Sequence, residues 1–182
     1  MKKYFLISVL TTIILTSCAK KQDPFAISKG QVGKLSRDTA IEQLDSIYKE
    51  DSLVIIKGNS NFRYSRTDQY AVYEKGGEHL LTIDSSTDSI PLVENIQVFD
   101  NRFKTAKGIS LASTFKDISS QYKISKIERV LGNVVVFINE IDVYVTIDKG
   151  ELPPDLRFNN NKIEAVNIPD DAKIKYFMIG WD

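Results

Sequence analysis

Two stretches decide how this chain is read: "KLSRDTAIEQLDSIY", residues 34–48, and "GISLASTFKDISSQY", residues 108–122. With Tyr48 set over Tyr122, Leu35 falls on Ile109, Ser36 on Ser110, Ile41 on Phe115, Leu44 on Ile118 and Ser46 on Ser120. Ala40, Ile41, Leu44, Ile47 and Tyr48 follow the three-and-four spacing of one helix face, as do Phe115, Ile118 and Tyr122. Ser36 or Asp38 can cap the first helix and Ser113 or Thr114 the second, by accepting backbone N–H bonds. Helices this short are marginal alone and must pack on something.

Sheet supplies that support. Strands are expected at Leu53–Lys57, Phe62–Arg66, Tyr70–Glu74 and His79–Asp84, with Ile90–Phe99 partly extended. The second copy offers Ile124–Leu131, Val134–Asn139, Asp142–Asp148, Ile163–Ile168 and Ile174–Ile179. These runs are rich in Val, Ile, Tyr and Phe, and turn residues such as Gly76-Gly77, Gly132-Asn133 and Pro153-Pro154 bound them. Short links make neighbours antiparallel. Downstream of the helices, "HLLTID" (79–84) matches "VYVTID" (143–148), and "VENIQVFD" (93–100) is set against "IEAVNIPD" (163–170). The expected fold class is therefore α+β: two tandem repeats, 25–100 and 101–182, each a short helix packed on an antiparallel sheet.

The front of the chain carries a different message. Lys2 and Lys3 precede an apolar run from Tyr4 to Leu15, which is the layout of a secretory signal. The run is shorter than the roughly 20 residues that span a bilayer. It ends at Leu15-Thr16-Ser17-Cys18, which holds the chain's single cysteine. This stretch resembles the lipobox of bacterial lipoproteins. The resemblance implies a signal peptide over 1–17, a lipid-bearing Cys18 and a polar tether over 18–24. Two or more acyl chains on one residue hold a protein stably where a single chain does not. With no second cysteine, the mature chain can form no internal disulfide. Ala19 follows the cysteine where Asp would favour inner-membrane retention in enterobacterial lipoproteins. The implied location is the outer membrane, facing the periplasm.

The tandem helix-plus-meander pattern resembles that of β-lactamase-inhibitor proteins. It is also similar to small helix-plus-sheet lipoproteins of outer-membrane assembly. In both, a glycine-hydrophobic-Ser/Thr turn leads into the helix, as Gly108-Ile109-Ser110 does here. The first copy departs from this, with Lys34 at the glycine position and Gly33 one residue early.

Charge and motifs exclude several classes. The chain has 24 basic and 24 acidic residues, and loss of Lys2 and Lys3 leaves the mature part slightly acidic. That is no footprint for nucleic acid. No G-x-S-x-G, P-loop, G-x-G-x-x-G or H-E-x-x-H pattern occurs. His79 is the single histidine, and strand alternation places it on the face of Leu81 and Ile83. No catalytic residue, metal site or cofactor is expected. The binding candidates are Phe62, Arg63, Tyr64, Arg66, Tyr70 and Tyr73, because aromatic and Arg side chains are concentrated at protein interfaces. The expected function is a membrane-anchored, non-catalytic protein-binding module of inhibitor, immunity or assembly type. The alternative is an envelope hydrolase or small-ligand carrier, with a cleft between the repeats lined by Asp84, Asp148 and tyrosines.

Overall fold

A computed structural model of the protein describes residues 23–58, 67–158 and 162–181. Eight strands form one antiparallel sheet: β4 (Ser52–Ile56), β5 (Gln69–Tyr73), β6 (His79–Ser85), β7 (Val93–Val98), β9 (Lys126–Val130), β10 (Asn133–Ile138), β11 (Val143–Asp148) and β12 (Ile174–Gly180). Their order across the sheet is β4-β5-β6-β7-β12-β11-β10-β9. Two four-stranded meanders thus meet at β7 and β12, where Val98 lies opposite Phe177 and Ile96 opposite Ile179. A small second sheet is built from β1 (Ala26–Ser28), β2 (Gln31–Val32), β3 (Leu35–Ser36) and β8 (Lys104–Thr105).

The α+β expectation, with a helix on a sheet in each repeat, is corrected by this topology. The chain is mostly β, and both halves contribute to one continuous sheet. Among the described residues only α2 (Phe115–Gln121) reaches seven residues. The first copy makes a 3₁₀ turn at Ile41–Gln43 and a single helical turn, α1 (Leu44–Ile47). Ala40 is bridged to Leu92, and the Asp51 N–H bonds the Tyr48 carbonyl to turn the chain into β4. The reason for the short helix is local. Its N-cap position is Ala40, which has no side-chain acceptor for the first N–H groups, where the second copy has Thr114. A further short helix, α3 (Pro154–Arg157), follows β11. Ser36 and Asp38 do not cap the first turn; instead the Gln43 Oε1 accepts the Ala40 N–H at 3.0 Å. In the second copy Thr114 does cap, accepting from the Asp117 N–H, while the Asp117 carboxylate accepts the Thr114 N–H at 2.8 Å.

The two halves share hydrogen bonds at matching positions. The Ser36 N–H donates to Thr39 Oγ1, and the Ser110 N–H to Ser113 Oγ. The Ile41 N–H donates to the Pro91 carbonyl, and the Phe115 N–H to that of Ala172. These bonds set β7 beside β12 in the comparison of the halves. They correct the sequence match of 93–100 with 163–170: the latter holds a 3₁₀ turn at Ala165–Asn167 rather than a strand.

The core lies on one face of the large sheet. Val72, Leu81, Ile83, Ile96, Val134, Val136, Val145 and Phe177 are fully buried there. They pack under Leu44 and Tyr48, under Ile118 and Tyr122, and under Ile27, Leu35 and Phe103 from the small sheet and its flank. Each helix-end tyrosine is covered by a lysine, Lys34 over Tyr48 and Lys107 over Tyr122 at 4.0 Å. Gly33 closes the small sheet at φ +54, where a Cβ would lie 2.4 Å from the Pro24 carbonyl oxygen. A side chain there is barred by the backbone itself. Arg102 ties the small sheet to the large one. It donates two bonds to the Glu74 carboxylate and lies 4.4 Å above the Phe25 ring.

Candidate functional site

Strand alternation gives the large sheet a second face. Among the described residues no helix lies over it. Directly opposed residues run along this face from Thr82 through Gln97, Met178, Tyr144 and Phe137 to Lys126. In a sheet with one solvated face these positions should be polar. Here Met178, Tyr144 and Phe137 are not. Tyr144 and Phe137 stack with ring centroids 5.7 Å apart.

A second aromatic group lies toward β5. The pairing of β5 with β6 shifts between Val72 and Tyr73, so that Val72 faces Leu81 but Tyr73 faces His79. The extra residue, Leu80, is buried, and His79 turns to the open face. His79 is therefore not on the face of Leu81 and Ile83, because the bulge breaks the alternation that placed it there. Its ring is sandwiched between Tyr73, at 4.6 Å, and Phe99, at 3.8 Å. Nε2 lies 3.2 Å from the Leu81 carbonyl oxygen and 3.1 Å from Thr82 Oγ1. Burial against the stack holds the imidazole below its ordinary pKa, so it is neutral at neutral pH. Phe99 and Tyr176 are 38% and 41% exposed beside it. Ion pairs border the patch, Lys175 with Asp148 at 2.8 Å and Lys126 with Glu128.

Beside Tyr144 and Phe137, on the side away from the Tyr73–His79–Phe99 stack, the face is hollow. Arg37, Asn95, Phe137, Asp142, Tyr144 and Gly180 enclose a depression of about 590 Å³. Gly180 creates it. A Cβ there would crowd the Tyr144 ring at 3.2 Å and Asn95 Oδ1 at 3.3 Å. The Tyr144 hydroxyl donates to Asn95 Oδ1 at 3.2 Å. The Asp142 carboxylate, on a residue at φ 56, accepts the Gly30 N–H at 3.0 Å and fixes the small sheet beside the hollow.

The candidates read from sequence separate on this frame. Tyr73 joins the aromatic stack on the open face. Tyr70 lies opposite Ile83 and packs against the core instead. Phe62, Arg63, Tyr64, Arg66 and Cys18 lie outside the described residues. Asp84 and Asp148 do not converge. β7 and β12 separate their strands, about 14 Å across the sheet, and the two residues sit at opposite ends. No cleft divides the halves either, since β7 and β12 are hydrogen-bonded neighbours there. Phe99, Phe137, Tyr144, Tyr176 and Met178 were not singled out by sequence. Their signal is present all the same: "VYVTID" and "IKYFMI" hold large apolar groups at both odd and even positions.

Asp84 is half-buried beside Gln69, whose Nε2 donates to its Oδ1 at 2.6 Å. Burial raises its pKa above the ordinary 3.8, and the Gln69 bond partly offsets this. A raised carboxyl favours the fold when protonated and costs stability as pH rises through the folded-state value. Asp84→Asn is therefore expected to be more stable than the parent chain at pH 7. Denaturant midpoints at pH 7 and pH 4 check this, with the advantage disappearing at the lower pH.

Comparison with known proteins adds one finding on the fold. No family model and no curated protein matches the chain. The crystal structure of the uncharacterized protein yfeY from Escherichia coli resembles it with a TM-score of 0.51 at 14% identity. The match covers 86% of this chain and 99% of that one. At that identity the likeness concerns the fold alone.

Proposed function

We propose that the chain is a membrane-tethered, non-catalytic protein-binding module of the cell envelope, and that the open face of the large sheet is its docking surface. The observation that carries this reading is the set of large apolar side chains on a face that no described helix covers. Phe99 and Tyr176 stand exposed beside the Tyr73–His79–Phe99 stack, and Tyr144 and Phe137 flank the hollow. An apolar, aromatic centre with ion pairs at its border is the usual anatomy of a protein interface. Aromatic anchors beside a depression are where binding energy concentrates. Phe99 and Tyr176 are fixed on or beside strands, so little ordering entropy is lost on binding.

The tether follows from Leu15-Thr16-Ser17-Cys18. Its lipid would hold the module at the outer membrane, facing the periplasm. Cys18→Ala is expected to abolish incorporation of radiolabelled palmitate and to release the protein from the membrane fraction. Continued membrane fractionation of that variant would show that something other than the cysteine anchors the chain. The docking reading is tested by crosslinking intact envelopes, solubilising them and capturing the tagged chain. A stoichiometric partner is expected, and its loss on Tyr176→Lys with no loss of folding assigns the open face. A partner retained by Tyr176→Lys places the contact elsewhere.

A further inference from the structure

The two edges of the large sheet are unlike. β9, Lys-Ile-Glu-Arg-Val, has three charged residues, and charged side chains are a common guard against strand addition. β4, Ser-Leu-Val-Ile-Ile, has none. Among the described residues it pairs with β5 on one side alone, which leaves a row of backbone N–H and C=O groups on the other. Val54, Ile55 and Ile56 are 48%, 51% and 47% exposed, so the last three residues of the strand are apolar and half-exposed, while Leu53 packs against the core. Such an edge is a template for another strand.

The strand's own sequence specifies which strand that is. Asp51 precedes β4 and Lys57 follows it. In an antiparallel pairing of two copies centred on Val54, Val54 meets Val54, Leu53 meets Ile55 and Ser52 meets Ile56. Asp51 of each copy then lies opposite Lys57 of the other. Parallel in-register pairing would set like charges side by side, and moving the centre to Leu53 or to Ile55 would leave neither Asp51 nor Lys57 facing an opposite charge. Asp51 already pairs with Lys34 at 2.9 Å, and Lys57 with Asp68 at 2.7 Å. The pairing extends both ion pairs across the junction.

We propose that β4 pairs with β4 of a second copy about a two-fold axis at Val54, joining two eight-stranded sheets edge to edge. Directly opposed residues point to the same side of a sheet. Both open faces therefore lie on one side of the dimer, which presents two docking surfaces to a common partner or membrane-parallel plane. A five-residue edge buries less than the roughly 1,000 Å² of a lasting interface, so association is expected to be weak and concentration-dependent.

Disulfide trapping of the full chain tests this. Directly opposed residues in an antiparallel pair lie about 4.5–5.5 Å apart at Cα, within reach of a disulfide. Val54→Cys is expected to give a covalent homodimer on mild oxidation. Val130→Cys on the β9 edge and the unsubstituted chain are the controls, and both are expected to stay monomeric. Adding Asp51→Lys to V54C should lower the trapped yield roughly fivefold, and adding Lys57→Asp as well should restore it. A V54C yield no higher than that of V130C would overturn the proposal. So would a V54C adduct with a different protein in place of the homodimer, or a yield indifferent to the charge exchange.

Discussion

Phe177→Ala is expected to cost the fold about 3–5 kcal/mol, enough to unfold much of the protein under mild denaturant. Phe177 is fully buried on β12, the strand through which the second meander joins the first. It faces Val98 on β7 and Val145 on β11, both buried. Removing its ring leaves a cavity at the junction, and strands on both sides are held too firmly by their neighbours to close over it. Tyr176, the preceding residue, points to the other face and is 41% exposed. Tyr176→Ala should cost no more than about 1 kcal/mol. Urea denaturation of the two variants measures the contrast. Equal losses would mean that the sheet is not one-sided and that something covers the open face.

The second large effect concerns binding. Phe99→Ala and Tyr176→Ala are each expected to weaken partner capture by about 2 kcal/mol or more, roughly thirtyfold, while leaving the denaturation midpoint nearly unchanged. Substitution of Tyr70, which packs into the core from the same segment as Tyr73, should do the reverse. It should lower stability and affect capture only through unfolding. Titration of each variant against the captured partner separates the two classes. If F99A and Y176A bind as the parent does, the exposed aromatics are not an interface.

Sequence patterns made most of the individual strands legible. β5, β6, β10, β11 and β12 are each a run of β-branched and aromatic residues between turn residues, and such runs declare themselves locally. So did α2, where Thr114 and Asp117 sit three apart at the start of an apolar stripe. What sequence does not declare is which distant strands meet. The β7–β12 junction turns two apparent lobes into one sheet, and nothing in either strand names its partner. The small sheet escaped for a different reason, since strands of two or three residues are too short to show a period. The helix expected after Lys34 has the right apolar spacing, but its N-cap position is Ala40, which cannot cap as Thr114 does. At the site, Tyr73 is legible as an aromatic near arginines, whereas strand alternation puts His79 on the wrong face because a bulge breaks it. Phe99, Tyr144 and Tyr176 became visible as a group only when β5 to β12 were laid side by side.

The most direct test is site-specific photocrosslinking in intact cells, with a photoreactive amino acid in place of Tyr176 in one strain and of Lys116 in another. Tyr176 lies on the open face, and Lys116 lies on α2, in the layer that covers the other face. A docking face predicts a discrete adduct with another protein from position 176 and none from position 116. No adduct from position 176, or the same adduct from both positions, would contradict it.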